Sequence, residues 1–355
     1  MVTLYVISTE TFAGKSAVCV GLGQRFLADG FTVGYMKPVS TAARVVAGRL
    51  VDEDAAFAKE TFGLVEPLET LVPILLTPTT VEAALAGQET GFPERLKRAH
   101  ARVVQDKDIL LMEGGGDLAE GALIGLSAPE VADLLGAQAL VIVRYADECI
   151  ADDLLVARRL LGDGMIGALI NSVPRQKMDF IEEMAVPYLE REGIGVFAVL
   201  PRERVLQAIT VGELAEGLGG EILNCPEKAD ELVENLMVGA MGVDSALSYF
   251  RRKANKAVIT GGDRADIQLA ALETATTCLI LTGNIQPSPI ILDRAEEAGV
   301  PMILARQDTL TAVEIIGEFF GKTRFHQEKK VHAFQRIFNE RFDFRRLYEV
   351  LGLSR

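Results

Sequence analysis

Apolar residues come in short blocks along this chain, and each block is followed by a stretch of a different period. Val2 to Ile7 is an apolar run that passes through a polar segment ending in Gly14-Lys15-Ser16. Ala17, Val18, Val20, Leu22, Phe26 and Leu27 then recur at helical spacing, so a strand, a loop and a helix are expected in that order. The alternation continues. Strands are expected over 31–36, 71–76, 109–112, 139–145, 165–173 and 195–200. Helices are expected to begin near Leu50, Val81 and Pro93, and to span 150–161 and 178–192. Strands that alternate with helices predict a right-handed, doubly wound, mostly parallel α/β sheet.

The pattern breaks between Pro201 and Glu234, where Glu213 to Ile222 is glycine-rich and Asn224-Cys225-Pro226 interrupts again. A second, smaller α/β unit follows. Its strands are expected over 236–241, 256–262, 278–283 and 301–305, and its helices over 244–253, 267–273 and 290–298, with Asp308-Thr309 capping a last one. Beyond it, Val331, Phe334, Ile337, Phe338, Phe342, Leu347, Tyr348 and Leu351 recur every three or four residues. The expected organisation is a first domain over 1–205, a linker over 206–233, a second domain over 234–321 and an amphipathic helical tail over 322–355. A stripe of this kind packs on its own protein or on a symmetry mate more often than on a membrane.

Composition narrows the classes. A hydrophobic share of 49% in 355 residues suits two well-buried α/β cores. A net charge of −14 argues against a broad nucleic-acid or anionic-membrane surface. Four scattered cysteines without CxxC read as reduced thiols, and His100, His326 and His332 form no zinc-like cluster. The first apolar run has no basic leader, and no apolar stretch approaches the roughly 20 residues of a membrane span. A cytoplasmic protein is expected.

The candidate chemistry lies at the strand ends. A strand, a loop ending in GKS and a helix form the arrangement that cradles nucleotide phosphates on backbone N–H groups. Lys15 would meet the terminal phosphates, and the Ser16 hydroxyl would ligate Mg²⁺. The regular loop wants glycine where Thr9 stands, or where Ser8 stands in the variant with one further residue, and neither is glycine. Glu113, followed by Gly114, Gly115 and Gly116, sits where a carboxylate could hold Mg²⁺ or a water. Lys37 to Thr41 and Asn171 fall at the same carboxyl edge, where such sheets bind ligands. Asp52, Glu53 and Asp54 have an ordinary explanation in a helix first turn. In the second unit, Gly261, Gly262, Asp263 and Arg264 could hold an anionic ligand. The plainer reading of those residues is a tight turn with an Asp N-cap and an Asp–Arg pair.

The first half resembles dethiobiotin synthetase and its relatives, whose longer phosphate loop reads G-T-D-T-x-x-G-K-T. Ser8 to Ser16 follows it with Ser for the first Gly and Glu10 for the Asp. Lys37-Pro38-Val39, Asp54-Ala55, Glu113 to Gly116 and Asn171 before Pro174 match further family motifs in order. The second half resembles the DRTGG domain around Gly262 to Ile267, with Ala265 in place of the motif threonine. This pair of modules is similar to the N-terminal part of long bacterial phosphotransacetylases, without their acetyltransferase domain.

The resemblance implies a P-loop fold that binds ATP and Mg²⁺. Thr11, Gly14, Lys15, Ser16, Ala17 and Asn171 would contact nucleotide, with Asn171 at the adenine. Ser16, Asp54 and Glu113 would hold the metal, and Lys15 and Lys37 would act on the transferring phosphoryl group. Ser40, Thr41 and Arg44 are candidates for the anionic end of a carbon substrate. Two functions are open: a nucleotide-binding module whose second domain senses a small-molecule effector, or an ATP-dependent ligase that phosphorylates a carboxylate or carbamate. Dethiobiotin synthesis itself fits poorly with the altered loop and the extra domain. A homodimer is implied in either case.

Overall fold

A computed structural model describes residues 1–46, 48–88, 91–320 and 325–353. The chain divides into two compact units, one made of Met1–Arg202 with Val331–Arg355 and the other of Glu203–Lys330. No helix among the described residues is long and apolar enough to cross a membrane.

The first unit is built on six parallel strands: β1 (Val2–Ser8), β2 (Val33–Met36), β3 (Ile109–Glu113), β4 (Gln138–Arg144), β5 (Met165–Val173) and β6 (Val196–Pro201). Their order is β6-β5-β4-β1-β3-β2. All five residues of β3 are buried, which is what an apolar run covered on both faces should do. The chain steps from β1 out to β2, returns to insert β3 beside β1, and then continues on the far side with β4. That reversal opens a crevice beyond the carboxyl end of β1, and such sheets bind ligands at this point.

Helix α1 (Lys15–Ala28) follows β1, and α2 (Glu53–Phe62) follows β2. Asp52 caps α2 by accepting from the Ala55 N–H at 2.9 Å. Helix α3 (Ala128–Leu135), absent from the sequence reading, starts at a capping box of Ser127 and Glu130. The expected strand over 71–76 shrinks to Ile74–Leu75, which pairs with Val39–Ser40 outside the main sheet. The expected helix over 178–192 contains a π-turn at Ile181–Ala185. Pro187 has no N–H to offer the Glu183 carbonyl, so the regular ladder cannot run through it.

Among the described residues the main sheet of the second unit has five strands: β7 (Glu221–Ile222), β8 (Asn235–Val238), β9 (Lys256–Gly261), β10 (Thr276–Thr282) and β11 (Met302–Leu304). Their order is β7-β11-β10-β9-β8, parallel except for β7. One face is covered by Val211, Leu214 and Leu218 with Ala312 and Ile316. The other is covered by Phe250, Ile267, Ala271, Ile291 and Ala295. The stretch expected as a linker, 206–233, therefore supplies core. Its helix α4 (Val211–Leu218) begins at a Thr210–Glu213 capping box and ends on Gly219, so its glycines mark a helix end rather than a tether.

The tail is helical, as α5 (Glu328–Arg341) and α6 (Phe344–Leu351), and from Val331 onward it packs on the first unit. The beginning of the expected tail, 322–324, lies outside the described residues. Tyr348 stacks near Phe26 with ring centroids 5.8 Å apart, Arg25 lies 4.8 Å over the Phe344 ring, and Phe342 stacks on Phe197 at 5.8 Å. Arg346 grips Glu190 with two bonds of 2.7 and 3.0 Å. The apolar stripe is the inner face of this cover. Phe338 is fully buried in its centre. Phe338→Ala is expected to cost about 3–5 kcal/mol of first-unit stability in urea denaturation, as removal of a buried ring does. A loss under about 1 kcal/mol would mean that the tail is not part of that core.

Candidate functional site

The crevice is lined by three loops, each beginning where a strand of the sheet ends. The first, between β1 and α1, turns through Gly14 at φ +103°, a conformation open to glycine and costly to other residues. A Cβ there would stand 2.5 Å from the Asn171 Nδ2 atom, so Gly14 also lets Asn171 approach. Asn171 donates to the Ala13 carbonyl at 2.8 Å and accepts from the Ser172 N–H at 2.8 Å. Expected at an adenine, this amide has a partner at each end within the chain and clasps the loop.

Lys15 is buried at the first turn of α1. Its Nζ donates to Ser8 Oγ at 2.6 Å and to the Gly116 carbonyl at 2.9 Å. The serine that replaces the expected loop glycine is thus a partner of the lysine. Burial lowers the Lys15 pKa, and repulsion from Lys37 adds to this against the attraction of Glu113 and Glu120. Ser16 donates from Oγ to Glu113 Oε1 at 2.7 Å, and Tyr35 donates to Glu113 Oε2 at 2.8 Å. Ala17 is buried behind them, while Thr11 is exposed at the loop tip.

Lys37 forms the centre of the second loop. Its Nζ lies 2.9 Å from Asp52 Oδ2 and 3.0 Å from Asp54 Oδ2. Burial pulls its pKa down, but Glu113, Asp54 and Asp52 outweigh this and raise it above the ordinary lysine value. Asp52 therefore has a second role besides capping α2, one that the helix-dipole reading overlooked. Ser40 donates to Asp52 and Thr41 donates to Glu120 at 3.2 Å, so both candidates for an anionic substrate are already turned to carboxylates. Arg44, the third candidate, is exposed.

Glu113 itself is 2% exposed. Burial raises its pKa, as do Asp54 and Asp52, and Lys37 opposes them. Burial outweighs the attraction of Lys37, so Glu113 holds its proton more tightly than a free glutamate does. Tyr35 and Glu120 are the two site residues that the sequence reading missed. Tyr35 is hidden because a tyrosine in an apolar strand reads as core. Glu120 is hidden because it lies in an unpatterned turn.

Among the described residues no cluster of three or more His, Cys, Asp or Glu side chains is arranged to hold a metal. Ser16 Oγ and Glu113 Oε1, in contact at the mouth of the loop, are nevertheless hard oxygen donors. They fit an ion that takes its other ligands from water and phosphate.

The second-unit candidates are used internally. Gly262 passes so close to the Ile285 carbonyl that a Cβ could not be accommodated. Arg264 pairs with Asp266 through two contacts of 3.1 Å and donates to the Met241 carbonyl at 3.1 Å. Gln268 donates to the carbonyls of Gly261 and Gly262, both at 3.0 Å. The plainer reading is right about a turn and an Asp–Arg pair, but the acid is Asp266. Asp263 does not cap: the N-cap position of the following helix is Arg264, and no side-chain capping bond is made there.

Comparison with known proteins fits this architecture. Residues 2–210 match the AAA domain family and residues 213–319 match the DRTGG domain. The first match spans more than half of the chain, which belongs to the AAA domain family and carries a DRTGG domain after it. A phosphate acetyltransferase of Nitratidesulfovibrio vulgaris is 24% identical over 96% of this chain and 50% of its own length. The ATP-dependent dethiobiotin synthetase BioD of Pseudomonas aeruginosa is 26% identical over 57% of this chain and 90% of its own. The chain thus spans about half the length of the acetyltransferase that it matches. Among solved structures, cobyrinic acid a,c-diamide synthase from Mycobacterium smegmatis, with bound ADP and magnesium, is 17% identical over 57% of this chain and 88% of its own, with a TM-score of 0.36. The CBS and DRTGG domains of Clostridium perfringens pyrophosphatase are 21% identical over 38% of this chain and 67% of theirs, with a TM-score of 0.29.

The raised Glu113 pKa makes a stability test. Its burial cost is absent below the ordinary value of 4.5, where the carboxyl is protonated folded or unfolded, grows as pH rises from there, and levels off above the raised folded pKa. Glu113→Gln is expected to match the parent near pH 4 and to gain on it as pH rises towards 7 in urea denaturation. A deficit that grows with pH would mean that attraction to Lys37 outweighs burial.

Proposed function

We propose that the first unit binds ATP with Mg²⁺ and that the second is a regulatory module responding to a small-molecule effector. The observation that carries this reading is the meeting of Lys15, Ser16 and Glu113 at the start of α1, in the crevice where the sheet reverses. Loop N–H groups would hold the phosphates, and Lys15 would leave Ser8 and Gly116 to reach the terminal ones. Ser16, Asp54 and Glu113 would hold Mg²⁺, which when bound would neutralise phosphate charge. Lys37, buried among carboxylates, would supply the second positive charge. Asn171 would read the adenine edge with the hydrogen-bonding capacity that its contacts within the chain leave over.

The alternative is an ATP-dependent ligase of the dethiobiotin synthetase kind, phosphorylating a carboxylate or carbamate. The likeness to BioD supports it, but Ser40 and Thr41 both facing carboxylates speaks against an anionic substrate there. We therefore place binding and regulation first. We also propose that these residues do not by themselves transfer acetyl groups. We assign a homodimer, from the family likeness, in a reducing cytoplasm, where Cys19, Cys149, Cys225 and Cys278 would stay free as they are here.

Calorimetric titration with ATP and a non-hydrolysable analogue, with and without Mg²⁺, tests the reading, with phosphate release followed in parallel. Mg²⁺-dependent binding is expected, and Lys15→Ala should abolish it. Unchanged affinity in that variant would remove the phosphate-loop assignment. Glu113→Gln should weaken the Mg²⁺ dependence by roughly tenfold, the worth of one charged ligand contact. Phosphate binding should draw the Lys15 pKa back up. Affinity should therefore fall as pH rises towards the ordinary lysine value of 10.5, with proton uptake on binding; affinity that rises with pH, or proton release on binding, would contradict it.

A further inference from the structure

The phosphate loop is closed on itself by the serine that stands where related loops begin with glycine. Ser8 is the last residue of β1, is 1% exposed, and pairs in the sheet with Ile142 of β4. Its Oγ accepts from Lys15 Nζ at 2.6 Å and donates to the Glu10 carbonyl at 2.6 Å, with a longer contact of 3.3 Å to the Gly116 carbonyl. Lys15 gives a second bond to that same carbonyl and is 8% exposed. One hydroxyl therefore ties the strand end, the loop and the start of α1 together. A glycine at this position could make none of these side-chain contacts.

We propose that Ser8 is a latch on Lys15 that a terminal phosphate must undo, so that this serine holds down the affinity for nucleoside triphosphates. The proposal rests on the nucleotide reading of the loop and adds what controls it. A hydroxyl has a single proton, and Ser8 gives it to the Glu10 carbonyl, so towards a phosphate it would present only lone pairs. The Lys15 ammonium uses two of its three donors on Ser8 and Gly116. Hydrogen bonds to a buried charge are strong, so drawing Lys15 away subtracts from what its phosphate contacts contribute. A ligand without phosphate leaves the latch closed and meets no such cost. Ser8 therefore acts on the phosphate end of a ligand and not on its base.

Three substitutions provide the test: Ser8→Ala removes the hydroxyl, Ser8→Gly gives the residue of related loops, and Ser8→Thr keeps the hydroxyl. In calorimetry of the full chain with the non-hydrolysable ATP analogue and Mg²⁺, Ser8→Ala and Ser8→Gly are expected to bind roughly tenfold tighter than the parent, the worth of one hydrogen bond to a charged group. Ser8→Thr should bind as the parent does. Ser8→Ala carries the test should Ser8→Gly fail to fold. Affinity for adenosine, which has no phosphate, should not change with any of them. Acetylation by acetic anhydride, resolved by site in mass spectrometry, reads the latch without a nucleotide: Lys15 should be labelled faster in Ser8→Ala than in the parent. Unchanged or weaker analogue binding in Ser8→Ala would overturn the proposal, weaker binding meaning that Ser8 positions Lys15 for phosphate. An equal gain for adenosine, or labelling of Lys15 that stays level, would overturn it as well. Should labelling rise while no form binds the analogue, the nucleotide reading falls and the latch on Lys15 stands.

Discussion

Placing a carboxylate inside a parallel sheet is costly, and Glu113 is so placed, at the end of a strand flanked on both sides. Burial of an ionisable group needs hydrogen bonds to each oxygen and a compensating charge nearby. Those requirements account for much around it. Ser16 must reach one oxygen, which fixes where α1 begins; Tyr35 must reach the other, which explains a hydroxyl in an otherwise apolar strand. Lys37 supplies the charge, and because Lys37 is itself buried, Asp52 and Asp54 hold it in place. The three loops are parts of one electrostatic arrangement.

Much of the first unit was legible because its strands are buried on both faces and read as plain apolar runs. The phosphate loop and the Glu113 turn were legible because chemistry at strand ends is confined to few residue types. What escaped were roles that depend on partners distant in sequence. Tyr35 is 78 residues from Glu113, and Glu120 is 79 from Thr41, separations that no local pattern encodes. Ser8 looked like a defect in a glycine motif until Lys15 was found on its hydroxyl. Helix α4 escaped for another reason: glycine-rich composition outweighed its Thr210–Glu213 capping box, and the cap was the better guide.

The second unit shows the opposite balance. Its most suggestive motif, Gly261 to Arg264, is occupied with holding loops together at the strand ends. Glycine after a strand reads equally as an anion cradle or as clearance for a passing carbonyl. Here the Ile285 carbonyl fills the space, a fact available only once loops distant in sequence are brought together.

The chain re-enters the first unit at Val331 after the compact second unit of residues 203–330, so the second unit is an insertion between two parts of the first. Docking of Phe338 and Tyr348 is therefore an intramolecular binding event. Its effective concentration is set by how closely the folded insertion holds its own ends. An unfolded insertion would leave a long flexible loop to be closed at an entropic cost, and a folded one removes most of that cost. Through this connection the stability of the first unit is expected to follow that of the second.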